Sequence, residues 1–289
     1  MNWIITAQHE GLMVRTYLQR EKRFSKRLLK QVIHGGTIQV NHATTTARHI
    51  LKDGDVLSIR LPEEKKGAMM TPEKMPLAIL YEDDAVLVLN KPAGRASIPS
   101  INHSSGTMAN GVLAYYAEKG LPYTFHIVTR LDRNTSGVML VAKHSWSHSL
   151  LAEAQRNGVV EPTYYTIIEG HLKQKQGSIS APIGRKDGSI IERTVRSDGK
   201  KALTHYQVVK ETTEHTCVLV RLVTGRTHQI RVHFAHMGHP IAGDDLYGGA
   251  LSFFKRQALH CYQLTFVHPV SSERMTFNAE LADDLQFPC

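Results

Sequence analysis

Asp132 is the residue around which chemistry could be built. It lies in Thr129–Gly137, TRLDRNTSG, a polar turn between two apolar runs that places one carboxylate between Arg130 and Arg133. A carboxylate so placed can attack carbon, take a proton, or simply cap a turn. Arg-Leu-Asp alone does not choose among these, and a turn-capping aspartate with solvated arginines is the commoner arrangement. Two further segments carry reactive side chains. Val223–Gly249, VTGRTHQIRVHFAHMGHPIAGDDLYGG, is dense in histidine, arginine and glycine, and TYYTIIEG carries Tyr164.

The histidines raise a metal hypothesis. His228, His233, His236 and His239 follow one another at spacings of five, three and three. They do not form the His-Glu-x-x-His pair of a zinc hydrolase, and these spacings do not face one way on a helix or a strand. Hydrogen bonding or contact with a bound partner is the better expectation. Gly184 and Gly188 flank a loop, but neither a GxxxxGK[ST] nor a GxGxxG context surrounds them. No paired-carboxylate signature and no Ser-His-Asp arrangement stands out. The three cysteines, Cys217, Cys261 and Cys289, make neither a disulfide framework nor a zinc spacing, which fits a reducing cytoplasm.

The elements that must position these residues can be read from periodicity. Ala85–Leu89, Val138–Ala142, Tyr164–Glu169, Leu203–Val209 and Cys217–Leu222 have strand character. Thr107–Glu118 and Ser145–Asn157 have helical patterns. Thr227–His236 fits a strand or a helix. Many strands with few intervening helices predict an α+β domain on a largely antiparallel sheet, from residue 77 to 289. Residues 62–76, PEEKKGAMMTPEKMP, carry three prolines and mixed charge and read as a flexible linker.

The N-terminal 61 residues read as a separate small α/β unit. Ser25 can cap a helix over Lys26–His34, ended by Gly35-Gly36, with Leu28, Leu29, Val32 and Ile33 on one face and Lys26, Arg27 and Lys30 on the other. Thr37–Asn41 and Val56–Leu61 read as strands, the second entered through an Asp53-Gly54 turn. The formal net charge is +9, and residues 1–66 hold 12 Lys or Arg against 6 Asp or Glu. That local excess points to a polyanion partner. No stretch approaches the roughly 20 apolar residues that span a bilayer, and MNWIITAQHEG does not look like a secretory signal. A cytoplasmic monomer is expected.

Two resemblances sharpen this picture. SKRLLKQVIHGGTIQVN followed by LKDGDVLSI resembles the S4 domain, a small RNA-binding module, with His42 where that family often has Gly after Asn. The likeness covers about 50 residues and implies RNA contacts from Ser25, Lys26, Arg27, Lys30 and Asn41. Further on, TRLDRNTSGVMLVAK, ILYEDDAVLVLNKPAG (Ile79–Gly94), TYYTIIEG, TGRTHQIRVHFAHMGHPIAGDDLYG and LHCYQLTFVHP (Leu259–Pro269) resemble, in order, the motifs of the RluA-type pseudouridine synthases. That resemblance implies the pseudouridine synthase fold. It makes Asp132 the catalytic aspartate, Tyr164 the active-site tyrosine and Arg231 the cation paired with the aspartate. Arg130, Arg226 and His228 join the RNA-contacting set. Departures from the family pattern are Thr129 for His, Pro162 for Lys and Cys261 for Ala.

The implied reaction breaks the N1–C1′ bond of a uridine in structured RNA and rejoins the base through C5. It is a net isomerisation, so no cofactor and no metal are expected. Water must be kept out and the base retained, so one carboxylate can serve where a glycosidase needs two. Asp132 either attacks C1′ or removes a proton from C2′. Arg231 would keep it ionised in a dry pocket. Tyr164 is expected to stack on the base rather than act as a base itself, since a free phenol titrates near pH 10. Large-subunit ribosomal RNA is favoured over transfer RNA. The alternative is a non-catalytic RNA-binding protein that keeps the synthase fold.

Overall fold

The computed structural model describes residues 1–64, 70–100 and 104–286. The chain forms two main sheets, each with its own hydrophobic core. The first is built from β1 (Asn2–Ile4), β2 (Thr37–Val40), β3 (Ala43–Thr44) and β4 (Val56–Arg60), in the order β1-β4-β2-β3. Helices α1 (Val14–Arg20) and α2 (Lys26–Gly35) accompany it. Ser25 caps α2 as its sequence predicts, its hydroxyl accepting the Leu28 N–H at 3.1 Å. Leu28, Leu29 and Val32 are buried in this core. Ile33, expected beside them, is half exposed at 50%. It lies about 100° beyond Val32 around the helix, past the edge of the stripe that the sheet covers.

Asn41 and His42 connect β2 to β3 with φ of 50° and 66°. Two successive left-handed residues make the tight hairpin turn that favours Asn-Gly, and His42 stands at the glycine position of that turn. His42→Gly should therefore stabilise the protein by about 1 kcal/mol in thermal or denaturant unfolding. No gain in stability would show that the turn tolerates a side chain without strain.

The second sheet has ten strands. Along its main path the order is β10 (Gln176–Ser180), β13 (Leu203–Glu211), β14 (His215–Leu222), β9 (Glu161–Glu169), β15 (Leu259–Val267), β8 (Ser136–Ala142), β6 (Val86–Lys91) and β5 (Ala78–Glu82). β7 (His126–Ile127) pairs with β8, and β16 (Arg274–Asn278) with β15. A separate hairpin is formed by β11 (Ile183–Arg185) and β12 (Arg193–Val195). Among the described residues all strand pairings are antiparallel except β15 with β8. This is the expected α+β, largely antiparallel architecture. The helices are α3 (Met108–Glu118), α4 (Ser145–Arg156) and α5 (Gln229–His236), so the segment that fitted either periodicity is helical. No helix among the described residues is long and apolar enough to cross a membrane.

The parallel contact runs through Gly137, the last residue of TRLDRNTSG. Its φ is 111°, and a Cβ there would meet the Cys261 carbonyl oxygen at 2.2 Å. Only glycine lets β15 approach the end of the Asp132 turn this closely.

Residues 62–76 hold no helix or strand among the described positions, and 65–69 lie outside them. The described parts are tied down rather than free. Glu64 pairs with His126 and accepts the Ser145 N–H at 3.0 Å, while Glu73 accepts the Gly106 N–H at 2.7 Å. Trp146, at the start of α4, packs edge-on to Trp3 with ring centres 5.5 Å apart and donates its indole N–H to the Lys22 carbonyl at 2.7 Å. The N-terminal core is thus closed by a side chain from beyond residue 76.

Candidate active site

The Asp132 turn is held by its backbone through three side chains, those of Ser97, Lys91 and Arg256. The Ser97 hydroxyl donates to the Leu131 carbonyl at 2.7 Å and accepts the Leu131 N–H at 3.2 Å. Lys91 is fully buried and gives its ammonium to the carbonyls of Pro92, Arg95 and Arg133 at 2.8, 2.7 and 3.0 Å. Arg256 donates to the Asn134 carbonyl at 2.9 Å and forks onto Asp284. Thr129 accepts the Leu140 N–H at 2.8 Å, which gives this departure from the family pattern a structural role. Burial pushes the Lys91 ammonium down to about 7, with Asp132 pulling it back up and Arg256 lowering it further. A complete set of three carbonyl acceptors is what a charged ammonium requires.

Thr224–Gln229 faces this turn across a cavity. Gln229 is buried and organises the segment. Its side-chain oxygen accepts from the Thr224 hydroxyl and the Arg226 N–H, and its nitrogen donates to the Leu203 carbonyl and the Thr204 hydroxyl. α5 then carries Arg231 inward. The cavity, about 360 Å³, is lined by Asp132, Arg130, Tyr164, Arg226, His228 and Arg231 among others. One concave site therefore gathers all three residues singled out for chemistry and three of those singled out for RNA contact.

Arg231 Nη1 reaches Asp132 Oδ2 at 3.3 Å. Its principal partner is a different acid, because Nε and Nη2 fork onto Asp244 at 2.7 Å each. Asp244 is fully buried, and the Tyr247 ring lies 4.9 Å from the guanidinium carbon. Burial works against the charge of Arg231, but Asp244, with Asp132 and Tyr247 behind it, raises its pKa above the usual value. Asp132 thus faces a cation fixed by other groups. The spacing of Asp244 and Tyr247 in GDDLYG does not mark them as the support for Arg231.

Tyr164 sits on β9 between Val220 of β14 and Cys261 of β15. Burial drives its phenol pKa well above the normal value. A phenol that holds its proton so firmly is a poor base.

The remaining histidines disperse. His233 bonds Thr204 and the Ala181 carbonyl, His239 bonds the Glu169 carbonyl, and His236 is exposed. Among the described residues no group of three potential metal ligands forms. Arg130 is exposed, with Nη2 3.5 Å from the Thr227 hydroxyl, and Arg226 donates to the Lys201 carbonyl at 3.0 Å.

The N-terminal candidates lie elsewhere. Lys26, Arg27 and Lys30 are exposed on α2. Asn41 is exposed and also has a part in the fold. Its amide donates to Asp55 at 2.8 Å and its oxygen accepts the Val56 N–H at 2.9 Å, so both ends hold the turn before β4. Ser25 likewise serves as the helix cap.

Comparison with known proteins now decides the family. Residues 85–236 match the family model described as RNA pseudouridylate synthase. The chain belongs to the RNA pseudouridylate synthase family, of the RluA type. It is 48% identical over 92% of its length, and 94% of the relative's, to a Bacillus subtilis protein named as an uncharacterized RNA pseudouridine synthase, YjbO. It is 38% identical to ribosomal large subunit pseudouridine synthase D of Xanthomonas campestris, over 91% of this chain and 83% of the relative. The solved structure of human RNA pseudouridylate synthase domain containing 1 superposes with a TM-score of 0.58 at 25% identity, covering 75% of this chain and 86% of that one. As a member of this synthase family the protein is an isomerase acting on RNA.

Proposed function

We propose that the protein isomerises specific uridines of large-subunit ribosomal RNA in the cytoplasm, with Asp132 as the catalytic carboxylate. The observation that carries this reading is the placement of Asp132: a carboxylate 27% exposed in a cavity, on a turn whose backbone is clamped, 3.3 Å from a guanidinium that Asp244 holds in place. A uridine flipped out of its stack would enter that cavity and lie against Tyr164, with its C1′ and C2′ presented to Asp132. Flipping costs a few kcal/mol. Arg130 and Arg226 at the cavity wall and the basic face of α2 offset it through phosphate contacts. Among possible RNAs the ribosomal large subunit is favoured because several of the similar relatives are named for it.

Residues 1–61 act in this proposal as an S4-like RNA-binding unit, and residues 77–289 as the catalytic unit of a monomer. The supporting features are the separate four-stranded sheet, its own core, and Lys26, Arg27 and Lys30 exposed on one helix face. The Lys26→Ala, Arg27→Ala, Lys30→Ala triple variant should bind substrate RNA about 10-fold more weakly at moderate salt, with a shallower slope of log affinity against log salt. Filter binding at three salt concentrations measures this. Parent-like affinity and slope would remove α2 from the RNA interface. The reaction moves one proton and one bond within the substrate, so EDTA should leave the single-turnover rate unchanged on prefolded RNA. A loss restored by a divalent ion would point to a metal-dependent step.

The test of the proposal is incubation with undermodified ribosomal RNA and carbodiimide mapping of the product. The rival reading, an RNA-binding protein without activity, requires tight binding with no pseudouridine formed by any RNA fraction.

A further inference from the structure

His228 occupies a place that RNA contact does not explain. It precedes α5 in the left-handed region, with φ 59° and ψ 20°. A non-glycine residue there carries strain of the kind that accumulates at functional sites. Its ring is largely enclosed, with the side chain 12% exposed. Nε2 lies 3.8 Å from Asp132 Oδ2, and Nδ1 lies 2.8 Å from the Tyr247 hydroxyl.

The Tyr247 hydroxyl favours one tautomer of the ring. Its oxygen accepts the backbone N–H of Arg193, on β12, at 2.9 Å. Burial raises the phenol's pKa, so it keeps its own hydrogen, and the neighbour placed to accept that hydrogen is His228 Nδ1. The imidazole is in turn biased towards the neutral form. Burial lowers its pKa most, Asp132 and Asp244 pull it up, and Arg231 and Arg193 push it down. A neutral ring that accepts at Nδ1 carries its hydrogen on Nε2. That hydrogen is then available to Asp132.

Arg231 and His228 both approach the same carboxylate oxygen, Oδ2, and neither contact uses Oδ1. We propose that His228, fixed as its Nε2–H tautomer by Tyr247, is a positioning residue that joins Arg231 in holding Oδ2 of Asp132, so that Oδ1 is the oxygen presented to the ribose. The 3.8 Å separation is longer than a hydrogen bond, as such contacts often are before substrate binds, and a small rotation of the carboxylate closes it. Tyr247 serves two neighbours in this arrangement: its ring lies against Arg231 and its hydroxyl sets the histidine. The proposal rests on Asp132 being the reacting carboxylate and adds what orients it.

The experiment compares His228→Asn, His228→Gln, Tyr247→Phe and Asp132→Asn with the parent. It reads single-turnover rate at saturating enzyme, RNA affinity and melting temperature. Asn accepts the left-handed backbone but its amide is too short to reach Asp132, so its rate should fall about 30-fold with RNA affinity within about twofold. Gln carries an N–H donor about as far out as Nε2 and should recover most of that loss. Tyr247→Phe keeps the ring against Arg231 but frees the tautomer, and should cost about 10-fold in rate. The proposal is overturned if folded His228→Asn reacts at the parent rate, if Gln is no better than Asn, or if the defect lies wholly in RNA affinity. An inactive Asp132→Asn beside a fully active His228→Asn would overturn this proposal alone. An active Asp132→Asn would overturn the reading of Asp132 and this proposal with it.

Discussion

Asp132→Asn should lower pseudouridine formation at least about 10³-fold while leaving RNA affinity and melting temperature near the parent values. The amide has almost the shape of the carboxylate, but it can neither attack C1′ nor take a proton from C2′. The turn should survive, because Ser97, Lys91 and Arg256 hold it by the backbone groups of Leu131, Arg133 and Asn134 rather than by the Asp132 side chain. Arg231 keeps its fork onto Asp244 and gains no buried unpaired charge from the change. Carbodiimide mapping gives the rate, gel shift the affinity and a thermal melt the stability. A variant with parent-like rate would remove Asp132 from the chemistry.

Arg231→Met should be damaging for two separable reasons. It takes from Asp132 the guanidinium 3.3 Å away, and it leaves Asp244, fully buried, as an uncompensated charge. The second effect alone should cost about 3–5 kcal/mol of stability. Adding Asp244→Asn removes the stranded charge, so the double variant should regain much of the lost stability, a coupling that a thermodynamic cycle measures directly. Activity should not return with it, since Asp132 still lacks its cation. If the double variant recovers rate along with stability, the role of Arg231 is to solvate Asp244 and not to act on Asp132.

The parts legible in the sequence are those set by neighbours along the chain. Ser25 and the apolar spacing after it mark α2, and short apolar runs mark the central strands of the large sheet. The exceptions follow the same logic. Ile33 shares the helical period but lies beyond the covered stripe, which only the sheet's width defines. Thr227–His236 is short and apolar enough to fit two periods, and the side chain of Gln229, bonded on both ends, decides for the turn and helix.

The candidate site divides in the same way. Asp132, Tyr164 and Arg231 could be singled out from motifs, and the structure brings them to one cavity. Their supports could not. Lys91 reaches Arg133 and Arg256 reaches Asn134 across long stretches of chain, through main-chain carbonyls that have no sequence signature. Asn41 shows the converse. A polar residue singled out for RNA contact also has both ends of its amide engaged in the fold. Tyr247 and His228 acquire meaning only through the Arg193 amide, which arrives from the separate β11–β12 hairpin.

The central claim is that this chain makes pseudouridine through Asp132, and RNA from cells lacking the protein tests it most directly. That RNA should show specific uridines unmodified, and large-subunit ribosomal RNA should contain them. Adding the purified parent protein should convert those same positions, and adding Asp132→Asn at equal occupancy should convert none. Restoration by the Asn variant, or an unchanged pseudouridine map in the deletion strain with no conversion by the parent, would contradict the account.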